Sequence, residues 1–429
     1  MIHSGLTFMK MFFHPLPWLL LAALAVPCPG RAAEPWSDTR AEQLRQQIRA
    51  HFFIDPLPAL QAETHRRFDP APGVTAEAVT YASQFGLRVP AILYLPKPMP
   101  KDRLPGFIVV NGHGGDKQSW YAYYAGILYA RAGAAVLTFD PAGEGERDPQ
   151  HKSGSRTHDK LKGDEAMARR LAGLLMSDVM QGVSYLSARP EVDPRRIGAG
   201  GYSLGSFILS LTGAVETRLR ACVLVGGGNL DGPGEYWDTS KPMCQGLPYQ
   251  SLSFLGDRPA MIYALHAARG STLIWNGRAD TVVNMPKTQE AFFNDLRARA
   301  VQVRGKADGV FEFNFVANTS HRPYFVTRPV ALWLEQQLNF PNGTAAGMAA
   351  MPETHISEWA LQNSVGMDKL YTAEEREGGT LALGNDVPGY RPEDLNVLPV
   401  SEWESRKASF SFTEWEKAAR AATAKPSGK

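Results

Sequence analysis

Cysteine is nearly missing from this chain: there are three in 429 residues, Cys28, Cys222 and Cys244. No H-E-x-x-H and no Cys-x-x-Cys pair occurs, which argues against a metal-centred mechanism. Net charge is nearly missing too. Lys and Arg number 45 against 43 Asp and Glu, a balance of +2; losing residues 1–32 would remove Lys10 and Arg31 and no acid, leaving zero. No electrostatic partner is therefore expected, neither nucleic acid nor an anionic membrane surface. Nor is there an uninterrupted apolar run of about 18 residues, the length a helix needs to cross a bilayer.

What is present is enough apolar material for a core, 44% of the chain. Residues 1–32 stand apart from it as a signal peptide. Lys10 gives a positive start, Trp18 to Val26 an apolar stretch of signal-peptide length, and Gly30-Arg31-Ala32-Ala33 small residues for cleavage. The mature protein is expected to be exported, periplasmic or secreted, with no membrane attachment after cleavage. A lipid anchor on Cys28 is the minor alternative, because Pro27 rather than a small residue precedes it. Export would permit a disulfide between Cys222 and Cys244. Cys222, inside the apolar run Ala221 to Val225, reads most simply as a buried thiol.

The most informative stretch is Gly201-Tyr202-Ser203-Leu204-Gly205. It lies between a strand-like run from Arg196 to Gly200 and a helix-like run from Phe207 to Leu211, the setting of a nucleophile elbow. So sharp a turn leaves no room for side chains two positions either side of the serine. It also aims the helix N-terminus at a developing oxyanion. Serine alone is a weak nucleophile and needs a base oriented by a third group. Ser271 to Asn276 reads as a strand, with Asp280 in the loop after it. Phe311 to Val316 alternates apolar and polar like a strand, with His321 in the loop after it. The order Ser, Asp, His is that of α/β-hydrolases. Ser203 is the expected nucleophile, His321 the base, and Asp280 the group that fixes its tautomer. His113 precedes the serine, His266 precedes the acid, and His355 follows no strand, so each fits less well.

A further apolar strand ends in Asn111-Gly112-His113-Gly114-Gly115-Asp116. A His-Gly-Gly loop in this place supplies backbone donors to an oxyanion hole. The expected hole combines the Leu204 amide with that of Gly114 or Gly115. Residues 33–74 are expected to form an N-terminal helical segment and 75–340 the catalytic domain. The domain should contain an eight-stranded, mostly parallel sheet with helices on both faces. Residues 226–261 are long for a connection and read as a lid-like insertion. Residues 341–429 read as an extension packed on the core, with a carbohydrate platform of Trp359, Trp403 and Trp415 as the alternative. The Gly-rich loop Asp140 to Arg147 is expected to be a turn held by pairing of Arg147, or else a border of the site.

These residues together resemble the α/β-hydrolase superfamily, specifically its acetyl xylan esterase-like and dienelactone hydrolase-like branch. The resemblance rests on Asn111–Asp116, Asp140–Glu146, Pro190–Ile197 running into Gly201–Gly205, Gly277–Asp280, and His321. It covers about residues 75–340. It implies acyl transfer by a Ser-Asp-His triad without cofactor, on a small-molecule or carbohydrate ester. Leu204 departs from the pattern, since many carbohydrate acetyl esterases carry glutamine after the serine. Two rivals stand beside this reading. A peptidase of the prolyl oligopeptidase type shares every catalytic residue but normally carries a large N-terminal propeller, which about forty mature residues before the first expected strand do not supply. A non-catalytic binding protein on the same fold would tend to lose a triad member or the loop glycines, and none is lost.

Overall fold

The computed structural model describes residues 36–161, 164–228, 242–280, 282–283, 290–306, 309–322, 324–367 and 380–424. The expected signal peptide lies outside the described residues. Nine strands form the main sheet: β1 (Glu63–Ala71), β2 (Val74–Ala82), β3 (Arg88–Pro96), β4 (Leu104–Val110), β5 (Ala135–Phe139), β6 (Val192–Tyr202), β7 (Leu219–Val225), β8 (Ser271–Gly277) and β9 (Phe311–Val316). Their spatial order is β1-β2-β3-β5-β4-β6-β7-β8-β9. The pairs from β1 to β5 are antiparallel, and every pair from β5 through β4 to β9 is parallel.

The expected mostly parallel sheet is present with one strand more than the eight anticipated. That strand, β1, falls in the segment 33–74, which is helical only over Asp38–His51. The physical reason is exposure. β1 is an edge strand whose burial alternates weakly, and its sequence ETHRRFDPA is as polar as a surface helix. The central strands are different. β4 and β7 are covered on both faces, so they read as continuous apolar runs rather than alternating ones.

Successive strand residues point to opposite faces, and β4 shows what each face meets. Phe107 packs against Tyr129 of the helix Trp120–Arg131 and against Phe325. Ile108 points the other way, towards Gly182 of the helix Glu165–Ala188. The C-terminal extension shares the first of these cores. Trp359 sits among Trp120 and Tyr124 and donates its indole N–H to Val387 O at 2.7 Å. Trp403 donates to Glu146 O at 2.8 Å, and Trp415 stacks on Phe412. All three tryptophans are buried, so they are core residues and form no exposed sugar platform.

The Asp140–Arg147 loop is held as expected. Arg147 is fully buried and paired with Asp178 of the helix Glu165–Ala188. Beside it, Lys117 Nζ bridges Asp140 at 2.6 Å and Glu146 at 2.7 Å, with all three groups out of solvent. The Glu146 carboxylate also accepts the amides of Val397 and Leu398, at 2.9 and 3.1 Å, which latches the extension onto the loop. Burial opposes the Lys117 charge, but the two carboxylates outweigh it and raise its pKa. Cys222 and Cys244 are buried thiols with no disulfide between them, and burial pushes Cys222 upward. Within 226–261, residues 229–241, about a third of the expected lid, lie outside the described residues. Of the described part, Tyr249 packs inward, meeting Phe207 at 6.2 Å between ring centroids, whereas Phe254 is exposed.

Candidate active site

Chain order reverses around β4, and in open α/β sheets the crevice at such a reversal, beyond the C-terminal strand ends, is where ligands sit. Here those ends lie in line. Val110 pairs with Gly201, Tyr202 with Val225, Val225 with Trp275, and Gly277 with Val316. Every loop that sequence reading marked as functional therefore leaves the sheet along one edge.

Ser203 occupies the turn between β6 and the helix Leu204–Val215, with φ +52 and ψ −115. For a residue with a side chain such a conformation costs about 1–3 kcal/mol and persists only where its surroundings enforce it. The enforcement is visible at the flanking glycines. An added Cβ on Gly201 would lie 2.4 Å from Gly205 O, and one on Gly205 would lie 2.1 Å from Val110 O. Ser203 is also tied by its own amide to Val225 O at 2.8 Å.

The three residues picked from sequence meet. Ser203 Oγ lies 2.9 Å from His321 Nε2, and His321 Nδ1 lies 2.8 Å from Asp280 Oδ2. The other carboxylate oxygen, Oδ1, accepts the amides of Val282 at 2.8 Å and Val283 at 3.1 Å. Asp280 is fully buried and His321 nearly so. With Asp280 accepting at Nδ1, the imidazole presents its Nε2 lone pair to the serine hydroxyl. That is the arrangement in which a histidine can take a proton from a serine.

The candidate oxyanion donors differ in what their amides already bond. Leu204 opens its helix, so its amide has no intrahelical acceptor. Gly115 spends its amide on Gly112 O at 2.9 Å, closing a turn, which leaves Gly114 of the two glycines. Tyr121 steadies the loop by accepting the Gly112 amide at 3.2 Å. The other histidines serve elsewhere. His266 is a core residue bonded to Thr272 at 2.8 Å, and burial lowers its pKa to about 4. His355 ends a small strand in the extension.

Sequence reading missed two features. Asn276 of β8 is buried and its Oδ1 accepts the Gly226 amide at 2.8 Å, fixing the exit of β7 directly behind His321. The second is a cleft beside the elbow, walled by Gly114, Tyr202, Arg156 and Arg322 and, from the extension, by Val365 and Tyr390. No local pattern marks these residues, since four remote segments of the catalytic domain and the extension together build the one wall.

Fold and site define the class: this is a hydrolase of the α/β-hydrolase fold. Residues 119–344, more than half of the chain, match the prolyl oligopeptidase family, and the chain belongs to that family. Among curated relatives, it is 30% identical over 165 residues to an uncharacterized protein of Pseudomonas aeruginosa, covering 38% of this chain and 40% of the other. It is 32% identical over 160 residues to the "Hydrolase ORFZ" of Pyricularia oryzae, covering 36% of this chain and 32% of the other. The chain thus spans less than half the length of these curated relatives. Among solved structures, Methylesterase BT1017 superposes with a TM-score of 0.58 at 21% identity, covering 90% of this chain and 76% of that one. This last likeness is one of fold.

Proposed function

We propose that the protein is an exported serine hydrolase that cleaves carboxylic esters through an acyl-enzyme. The observation that carries the reading is the continuous relay from Ser203 Oγ through His321 to a buried Asp280, at 2.9 and 2.8 Å. In this mechanism His321 removes the Ser203 proton as the oxygen attacks the ester carbonyl. Asp280 stabilises the imidazolium, and the amides of Leu204 and Gly114 receive the oxyanion. His321 then protonates the leaving alcohol, and water releases the acid by the same steps in reverse. No cofactor enters. The polar, arginine-bearing cleft beside Tyr202 supports a hydrophilic substrate such as a carbohydrate ester over a long acyl chain. The methyl and acetyl esters of sugars are the first candidates.

Family membership favours one second reading, a serine peptidase, because it uses the same three residues. The experiment compares wild type with Ser203→Ala on p-nitrophenyl acetate, butyrate and octanoate, acetylated and methyl-esterified oligosaccharides, and an aminoacyl p-nitroanilide. Ester turnover that falls by about 10⁴ or more in Ser203→Ala supports the proposal. Turnover of the anilide alone moves the protein to the peptidases. Ester turnover unchanged in the variant refutes the serine mechanism.

A further inference from the structure

His113 precedes the serine in the chain, yet the fold gives it unusual company. His113, His158, Asp159 and Cys244 bring their ligand atoms within 4.8 Å of one another, although they come from three segments far apart in sequence. His113 sits in the loop after β4, next to Gly114. His158 and Asp159 lie in the short turn Thr157–Lys160, and Cys244 in the turn Pro242–Gly246 packed against it.

Two details go beyond proximity. His158 Nδ1 faces Ala142 O at 2.9 Å, so that nitrogen carries the proton and donates it. The Nε2 lone pair is left facing the cluster, fully buried and with no hydrogen-bond partner. A bare buried acceptor of this kind is costly. A back-side N–H bonded to a carbonyl is also the way ligating imidazoles are oriented. The second detail concerns His113. Its Nε2 lies 2.7 Å from Asp159 Oδ1, so an imidazole nitrogen and a carboxylate oxygen already converge on the cluster.

We propose that these four side chains bind one zinc ion. Two imidazoles, a thiolate and a carboxylate form the mixed N, S and O set that zinc takes in tetrahedral geometry. The edges of such a tetrahedron are about 3.3–3.8 Å, so small side-chain rotations suffice to close the present spread. Four protein ligands leave no open position, and the ion is therefore structural rather than catalytic. It would tie the His113–Gly114 loop, which walls the cleft, to the two turns beside it. Motif spacing could not show this site, because no two of its segments are neighbours in the chain.

The test uses the full chain, stripped of metal by a chelator, shown to be folded by circular dichroism, and titrated with Zn²⁺ and separately with Co²⁺. About one equivalent of zinc should bind. Cobalt should give the intense visible absorption of a tetrahedral site and a near-ultraviolet thiolate-to-cobalt band. Cys244→Ser should abolish that band. His158→Gln should weaken zinc binding by more than the roughly 10–100-fold that loss of an outer partner costs. A folded wild-type chain that takes up no zinc overturns the proposal. So does a zinc stoichiometry and cobalt spectrum unchanged in both variants. Should a variant misfold, the wild-type cobalt spectrum decides alone: without a thiolate band there is no such site. None of these readouts depends on ester turnover, so they stand or fall apart from the hydrolase reading.

Discussion

Asp280→Asn tests the relay with almost no change in shape. Asp280 Oδ1 accepts two amides, from Val282 and Val283, while Oδ2 meets His321 Nδ1 at 2.8 Å. A carboxylate only accepts, so it holds the imidazole proton on Nδ1. An asparagine must keep its oxygen towards the two amides, because turning its NH₂ there would set donors against donors. The NH₂ then points at His321 and donates to Nδ1. The imidazole proton moves to Nε2, 2.9 Å from Ser203 Oγ, and the lone pair that should receive the serine proton is gone. Triads lose about 10⁴ in kcat on this change of tautomer. At 1.36 kcal/mol per decade that is about 5.5 kcal/mol of transition-state stabilisation. The assay is kcat/KM on p-nitrophenyl acetate, with a thermal melt to show that the isosteric variant stays folded. A folded Asp280→Asn protein within about tenfold of wild type would refute the assigned role of Asp280.

Other outcomes follow from the packing. Gly205→Ala places a Cβ 2.1 Å from Val110 O, a backbone atom that cannot swing away, so the helix that follows Ser203 must shift. The melt should show a loss beyond the usual 1–3 kcal/mol of overpacking, and a midpoint within about 2 °C of wild type would contradict the geometry. Lys117→Met leaves Asp140 and Glu146 buried together without their cation. Urea unfolding should report a loss of about 3–5 kcal/mol, with earlier proteolysis of the extension that Glu146 latches; equal stability would count against the bridge. Burial pushes the Glu144 carboxyl up to about 8 from 4.5. The folded state then keeps a proton that the unfolded chain loses, so this contribution is complete below about pH 4.5 and is lost as pH rises through 8, by at most about 1.4 kcal/mol per pH unit. Glu144→Gln should flatten that slope in pH-dependent melts, and an unchanged slope would place its origin elsewhere.

Features that depend on short stretches of chain were legible beforehand. The elbow was readable because its glycines answer to backbone atoms within a few residues and in the adjoining strand. Asp280 and His321 were readable because each follows a strand with a clear apolar pattern. β1 was not, since an edge strand with one wet face carries little hydrophobic signal. Nor was the burial of Trp359, Trp403 and Trp415, whose partners lie up to hundreds of residues away. The Gly115 amide's bond to Gly112 O, which bears on the choice between Gly114 and Gly115, leaves no trace in composition.

By itself, then, the sequence determined the class of fold, the tight turn at Ser203 and the order of Ser203, Asp280 and His321 along the chain. Strand periodicity and turn sterics act over a few residues and are written in local pattern. Only the tertiary structure decided that Ser203, His321 and Asp280 meet at hydrogen-bond distance, that the extension completes the core and walls the cleft, and that His113, His158, Asp159 and Cys244 converge. Each of these depends on contacts between segments remote in the chain, and such contacts form only when burial of apolar surface draws those segments together.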